Sequence, residues 1–168
     1  MQRFSVGSVV LILVCSFAAL CLPPSVAHAY WTDIHGSSCE VEAPANATVN
    51  HRGYSLQVDQ KPSRANLIHC QIPTGADGMR RVQFVRLQWF KSSANSKFVR
   101  FDIYDGRHLI KSVAAPAMAT VGAVTETLVN LGAPFTITRG LGVSVFIQNL
   151  STTTSTRFQV SDVGAYFY

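Results

Sequence analysis

Apolar and polar residues alternate one by one over long parts of this chain, which is the pattern of β-strands that bury one face. Val99, Phe101 and Ile103 share one face of such a segment, while Arg100 and Asp102 lie on the other. Other segments that alternate, or are rich in β-branched and aromatic residues, are 39–41, 54–58, 68–72, 81–90, 109–113, 121–131, 141–147 and 157–168. A helical period is missing, so the pattern predicts an all-β protein.

Proline and glycine mark the ends of these segments, where both residues are tolerated. About eight to ten short strands with this spacing predict a two-sheet antiparallel sandwich, of which the jelly roll is one version. Asp105-Gly106 lies between two alternating segments and predicts a two-residue hairpin that pairs Phe101 with Ile110. The polar stretch 151–155 predicts a loop between two strands.

Residues 1–29 have the features of a cleaved export signal. Arg3 is followed by an apolar stretch over 9–22, and Ala27-His28-Ala29 matches the small-residue cleavage pattern. The apolar stretch is shorter than the roughly 20 residues that a membrane-spanning helix needs. We therefore expect a signal peptide over 1–29, a single domain over 30–168, and no transmembrane segment after cleavage. The expected location is the periplasm or the extracellular space.

Two of the four cysteines remain after that cleavage, Cys39 and Cys70. The alternation places both on the apolar faces of their segments, beside Val41 and Ile68. Exported proteins fold in an oxidising compartment, so we predict a disulfide between these two cysteines. A zinc site would need about four suitably spaced ligands, and the chain has no Cys-x-x-Cys motif.

Composition and charge narrow the classes of partner. Hydrophobic residues make up 48% of the chain, which excludes a disordered protein. The net charge of +5 arises without a long run of lysine or arginine, so no nucleic-acid partner is expected. Basic residues such as Arg86 and Arg100 are interleaved with apolar ones. That arrangement fits an anionic glycan and fits a solvated strand face equally well.

The chain contains no motif for nucleophilic catalysis, and no cofactor is expected. Ser144 lies in the middle of an alternating segment, not on the strand-to-helix turn of a hydrolase nucleophile. Asp105 is explained by the hairpin turn. His35 and His69 could fix loops, contact a ligand or bind a metal, but the sequence identifies no further metal ligands. We therefore predict no metal site. The rival hypothesis, a metal-dependent enzyme, would require both imidazoles to converge near a third ligand.

Aromatic residues give the best indication of function. A sugar ring stacks on a flat aromatic side chain while neighbouring polar groups bind its hydroxyls. We select Trp31, His35, Tyr54, His69 and Tyr104 as candidate ligand-binding residues, for a glycan or another component of the cell envelope. The leading hypothesis is therefore an exported non-catalytic binding module.

Two alternatives remain open at this point. The domain could be structural or bind proteins, associating with itself through an edge strand, and the sequence does not determine its oligomeric state. A metal-dependent enzyme is the third and weakest hypothesis, because no catalytic constellation is present.

Short motifs also occur in a characteristic order along the chain. They are His35-Gly36, Val41-Glu42-Ala43-Pro44, Arg52-Gly53-Tyr54, Asn66-Leu67-Ile68-His69, Ile72-Pro73-Thr74, Tyr104-Asp105-Gly106, the stretch 140–145 and the stretch 163–167. In order and spacing the set resembles an exported bacterial β-sandwich domain family of unknown function. Relatives end in Ala-Gly-Ala-Asp-Phe, where this chain has Val163 and Tyr166 in place of the first alanine and the aspartate. The resemblance implies a fold and no activity.

Overall fold

The computed structural model describes residues 29–74, 81–114 and 120–168, so the predicted signal peptide lies outside the described residues except for Ala29. In these ranges the chain forms eleven strands. They are β1 (Tyr30–His35), β2 (Glu40–Val41), β3 (Ala47–Arg52), β4 (Ser55–Gln60), β5 (Ala65–Ile72), β6 (Arg81–Lys91), β7 (Ser96–Asp105), β8 (His108–Ala114), β9 (Thr125–Thr136), β10 (Leu141–Asn149) and β11 (Thr156–Phe167). Two short 3-10 helices, Gly36–Ser38 and Pro44–Asn46, lie on either side of β2. Within the described ranges, no helix is long and apolar enough to cross a membrane.

The strands form two antiparallel sheets, which confirms the predicted sandwich. The six-stranded sheet has the order β3-β4-β11-β6-β9, and β1 pairs with the C-terminal half of β11. The five-stranded sheet has the order β2-β5-β10-β7-β8. Because β11 is long, it pairs with β6 along one edge and with both β4 and β1 along the other. This central strand therefore positions residues from three others.

The inner faces of the two sheets form one core. Leu87, Phe101, Val145 and Phe158 are fully buried in it, as the period of two predicts for strands with one apolar face. Trp89 is buried with them, and its indole Nε1 donates a hydrogen bond of 2.9 Å to the Thr127 hydroxyl. This bond satisfies the polar atom of the largest core side chain.

The predicted disulfide is confirmed, since Cys39 and Cys70 are bonded and both side chains are buried. It joins the chain that leaves β1 to the core face of β5 in the opposite sheet. The two cysteines are 31 positions apart in the sequence. Closing a loop of that length contributes about 3–4 kcal/mol in the chain-entropy account.

Gly36 lies where the chain passes from the six-stranded sheet towards the five-stranded one. A Cβ atom built at this position would lie 1.8 Å from the carbonyl oxygen of Val160 in β11. Backbone atoms in a central strand cannot move aside without breaking its pairing. Any side chain at position 36 would therefore push this segment of the chain away from β11. The glycine therefore allows β1 to lie against β11 with His35 at its end.

Two strands of the structure, β1 and β3, were not predicted. In β1 the residues alternate between half-buried and exposed, but none is fully buried. In β3, an edge strand, polar side chains occupy both faces. Neither segment has the clear apolar face on which sequence-based prediction of a strand relies. The predicted strand over 121–131 also begins later, at Thr125.

One core position in β7 differs from the predicted alternation. The register between β7 and β10 shifts between Phe146 and Ile147, opposite Val99. This β-bulge turns Phe98 into the core together with Phe101, while Val99 is only half-buried. A single inserted residue thus changes which side chains face inward.

β7 and β8 form the predicted hairpin, but the predicted register is wrong. Asp105 pairs with His108, so the loop consists of residues 106–107 and Asp105 ends the strand. A further register shift in β8 places Val113 opposite Phe101. The turn therefore does not explain why residue 105 is an aspartate. Its carboxylate instead makes hydrogen bonds to a segment distant in the sequence.

The Asp105 carboxylate holds the segment that leads into β10. It accepts hydrogen bonds from the Thr138 hydroxyl at 2.6 Å and from the backbone N–H groups of Thr138 and Arg139 at 3.0 and 2.6 Å. Burial alone would raise the pKa of this carboxyl. The hydrogen bonds outweigh burial, so the pKa of Asp105 lies below its ordinary value.

We expect Asp105→Asn to lower the free energy of unfolding by about 2 kcal/mol at neutral pH, because bonds to a charged acceptor are lost. A lowered folded-state pKa stabilises the protein above the ordinary pKa of the group, and this contribution disappears as the pH falls through the folded value. The difference between variant and parent should therefore shrink below about pH 4 in urea unfolding experiments. Glu40→Gln, an exposed carboxylate in β2, is the control. A difference that is constant with pH would contradict this explanation.

Candidate functional site

Aromatic side chains form a row across the outer face of the six-stranded sheet. Trp31 in β1 pairs with Tyr166 in β11, and Tyr166 pairs with Phe84 in β6. Their ring centroids lie 5.4 and 6.3 Å apart, and Tyr168 stacks edge-on against Tyr166 at 5.0 Å. Trp31 keeps 39% of its surface exposed. The row is therefore a partly accessible aromatic platform at one end of the sheet.

Charged side chains lie beside this row, centred on Arg86 in β6. The guanidinium Nε and Nη2 each lie 3.0 Å from an oxygen of Asp33, and Nη2 also lies 3.1 Å from Oδ2 of Asp162. Glu126 of the edge strand β9 is 4.0 Å from Nη1. We call Asp33, Arg86, Glu126 and Asp162 the Arg86 cluster. It brings together side chains from four strands.

Gly164 provides the space in which the ion pair lies. It pairs with both Asp33 and Arg86 across β11. A Cβ atom at this position would lie 1.8 Å from Oδ1 of Asp33 and 3.1 Å from Nε of Arg86. Because the glycine has no side chain, the carboxylate and the guanidinium meet directly above the strand. A glycine inside a strand often marks such a close approach.

The Arg86 cluster and the aromatic row are in contact. The guanidinium carbon of Arg86 lies 5.1 Å from the centre of the Trp31 ring, within the range of a cation–π interaction. One arginine therefore fixes both the carboxylates and the tryptophan, and the surface is organised before any ligand arrives.

An open depression of about 400 Å³ lies on the other side of the cluster. Its lining residues are His35, Tyr54, Arg86, Gln88, Val124, Ser161 and Asp162. Tyr54 stands at the turn between β3 and β4 and is 62% exposed. The depression thus combines an exposed aromatic ring with hydrogen-bonding side chains, the composition expected of a site for a polar ring-shaped ligand.

Asp162 is the carboxylic acid that lines this depression. Burial and the nearby Asp33 carboxylate raise its pKa, while Arg86 and His35 act in the opposite direction. Its Oδ2 is enclosed and receives no well-aligned hydrogen bond, although Arg86 lies close by. The ion pair with Arg86 is therefore the contact that holds this carboxylate in place.

The structure brings three of the five predicted ligand-binding residues to this one face. His35 and Tyr54 line the depression, and Trp31 lies in the aromatic row. The backbone rises about 3.3 Å per residue in a strand, so His35 and Trp31, four residues apart, are separated by about 13 Å. The surface is long enough for a ligand that extends over several rings.

His69 and Tyr104 lie on the outer face of the other sheet. His69 Nδ1 is 2.8 Å from the Ser144 hydroxyl, and its Nε2 is 3.7 Å from the Glu42 carboxylate. Tyr104 donates a hydrogen bond of 3.4 Å to Asp102, and burial followed by this carboxylate raises the pKa of Tyr104. The hypothesis that His35 and His69 converge on a metal is therefore wrong. Among the residues with described positions, no three acidic, histidine or cysteine side chains form a metal-ligating group.

The contacts of His69 with Ser144 and Glu42 resemble those of a hydrolytic triad, but Ser144 lies in an unfavourable place for a nucleophile. Ser144 lies in the middle of β10 and is buried. β10 pairs with β5 on one side and β7 on the other, so its amide groups are used in the sheet. In the part of the chain that the structure describes, the N–H groups of β10 beside this hydroxyl are therefore not free to stabilise an oxyanion, and we interpret the contact as structural.

The pattern along the chain does not distinguish Gln88, Asp162 or Tyr166, although they lie among the predicted ligand-binding residues. Arg86 was noted only as one of several interleaved basic residues. The alternation does place Arg86 and Gln88 on the outer face of one strand, opposite Leu87. The alternation does not indicate which strands lie beside β6, and so it does not indicate which side chains surround Arg86 and Gln88.

No family model and no curated protein matches the chain. A low-affinity xylan-binding module, CBM86, from Roseburia intestinalis has a similar structure, with a TM-score of 0.54 and 10% identity over 83% of this chain and 96% of that module. A carbohydrate-binding module of family 29 gives a TM-score of 0.48 and 7% identity over 83% and 90% of the two chains. The first likeness establishes that this chain has a two-sheet fold also found in carbohydrate-binding modules. The family resemblance noted in the sequence is thus supported at the level of the β-sandwich fold.

We expect Gly164→Ala to separate Asp33 from Arg86, because the new methyl group would occupy the position of Oδ1. The free energy of unfolding should fall by about 1 kcal/mol, and the fluorescence of Trp31 should change as Arg86 moves. Gly142→Ala is the matched control, since its Cβ would meet only Tyr104 at an ordinary 3.9 Å. Unchanged fluorescence in Gly164→Ala would contradict the proposed arrangement.

Proposed function

We propose that this chain is an exported, non-catalytic module that binds a glycan on the outer face of its six-stranded sheet. The observation that carries the proposal is the depression in which the exposed Tyr54 ring stands beside Arg86, Gln88 and Asp162. This combination matches the two requirements of sugar binding, which are an apolar surface for the ring and polar groups for its hydroxyls.

The chemistry of binding follows from the lining residues. The ring of Tyr54 offers flat apolar area to the C–H face of a sugar at a small cost in side-chain entropy. Gln88 has both a donor and an acceptor, and the Asp162 carboxylate, whose side chain is 17% exposed, can accept from a hydroxyl group. The hydroxyls exchange their bonds to water for bonds to these groups, so stacking and shape supply most of the net affinity.

The surface is preorganised, which favours binding of a flexible oligosaccharide. Arg86 is already fixed by Asp33 and by the Trp31 ring, and each of these residues belongs to a paired strand. Little protein entropy is lost on binding when the receiving side chains are already ordered. The structural likeness to a xylan-binding module supports the same function class.

Export forms part of the proposal. Residues 1–29 have the composition of a cleaved signal peptide, and the domain over 30–168 would then act in the periplasm or outside the cell. The buried Cys39–Cys70 disulfide supports an oxidising location, because such bonds are rare in reducing compartments.

We expect Tyr54→Ala to weaken glycan binding about tenfold, equivalent to about 1.4 kcal/mol, because the exposed stacking surface is lost. The purified domain is screened on an array of hexasaccharides that includes xylohexaose, and the strongest binder is then measured by calorimetry. Tyr104→Ala is the matched control, since it removes a tyrosine from the opposite sheet. Equal affinities for Tyr54→Ala and the parent, or no binding to any hexasaccharide, would contradict the proposal.

A further inference from the structure

Two exposed apolar side chains stand on opposite sides of the depression. Tyr54, in the turn before β4, and Val124, in the segment before β9, both line it, and each is 62% exposed. In the sheet order β3-β4-β11-β6-β9, the strands β4 and β9 flank the pair β11 and β6. With about 4.8 Å between neighbouring strands, the two sides lie about 14 Å apart at the backbone. Each of these side chains therefore forms one apolar wall of the depression.

The floor between the two walls is polar and belongs to β11 and β6. Asp162 is paired with Gln88 across these strands, and Ser161 is the extra residue of a β-bulge just before Asp162. The bulge leaves Val160 in the core and turns Asp162 towards the depression. The hydroxyl, amide and carboxylate groups of the floor can all exchange hydrogen bonds with the hydroxyls of a ligand.

The charged groups of the lining are held by each other. Nη2 of Arg86 lies 3.1 Å from Oδ2 of Asp162, and Nε of the same guanidinium donates to Asp33. His35 stands beside Asp162 in the register of β1 and β11. A ligand in the depression thus meets an ion pair with a histidine next to it, and not a single charge. This arrangement favours an uncharged sugar.

A sugar ring matches two apolar walls and a polar floor when all its hydroxyl groups are equatorial. Equatorial hydroxyls point outward around the edge of the ring, so both faces carry only C–H groups. An axial hydroxyl projects from one face instead. A single apolar wall would tolerate it, because the ring could turn that face to water. Between two apolar walls, the axial hydroxyl loses its hydrogen bonds to water without replacement.

We propose that the depression selects a glycan built from rings whose hydroxyl groups are all equatorial, as in glucose and xylose. The edge of the ring faces Gln88, Ser161 and Asp162, and its two faces contact Tyr54 and Val124. This inference rests on the proposed glycan-binding function and specifies its substrate class. Val124 determines the specificity, because it supplies the second wall.

The test compares the hexamers of glucose and mannose with the same β linkage. These two sugars differ only in the hydroxyl on the second carbon, which is equatorial in glucose and axial in mannose. The hexamer of xylose, whose hydroxyls are all equatorial, is measured beside them, and binding to the purified protein is followed by calorimetry. The tighter of the glucose and xylose hexamers should bind at least about tenfold more tightly than the mannose hexamer, since an enclosed hydroxyl without a partner is costly.

Val124→Ser removes one apolar wall and supplies a hydroxyl that can pair with an axial one. In this variant the preference over the mannose hexamer should fall from about tenfold or more to less than about threefold. Val121→Ser is the matched control, since this valine is also exposed, at 44%, but does not line the depression. The control should keep the preference of the parent. Both valines are largely exposed, so both variants are expected to fold.

The outcomes separate the two proposals. Three results would overturn the inference about specificity and leave glycan binding intact. They are binding of the mannose hexamer within tenfold of the other two, an unchanged preference in Val124→Ser or an equal loss in Val121→Ser, and binding of some other hexasaccharide on the array without binding of the glucose or xylose hexamer. If no hexasaccharide on the array binds, both proposals are wrong.

Discussion

Arg86 organises the outer face of the six-stranded sheet, because its guanidinium faces carboxylates from three other strands. Asp33 comes from β1, Glu126 from β9 and Asp162 from β11. The arrangement is possible only because Gly164 leaves the surface of β11 empty at the point where the pair meets. The same guanidinium lies over Trp31. Removal of the arginine would release the carboxylates and one end of the aromatic row together.

The fold explains how distant segments reach this site. β11 pairs with β4 over its first half and with β1 over its second, so Tyr54, in the turn just before β4, and His35, at the end of β1, line the same depression. Gly36 then lets the chain pass under β11 to the disulfide at Cys39. A rigid two-sheet core thus supports a site whose surface side chains hold one another in place, which is how a binding surface gains specificity without a deep cavity.

The alternation along the sequence predicted the fold class and the pairing of Cys39 with Cys70, because inward and outward faces follow from a period of two. It could not predict which strands become neighbours. Trp31 and Tyr104 both have outward positions, yet they lie on opposite sheets. Arg86 and Asp162 meet only because β6 and β11 are adjacent. The local pattern placed Asp105 in a turn. It could not reveal the hydrogen bonds from Thr138 and Arg139, because these residues are 33 and 34 positions away in the sequence.

The most direct test of the binding surface is a nitrogen–proton NMR titration of the domain with the hexasaccharide that binds most tightly on the array. If the account is correct, the largest shifts will occur at Tyr54, His35, Gln88 and Asp162, with smaller shifts along the row to Trp31. Residues on the five-stranded sheet, such as His69, will remain unchanged. The largest shifts around His69 and Tyr104, with the Arg86 cluster unaffected, would show that the protein binds through its other face and would contradict the account.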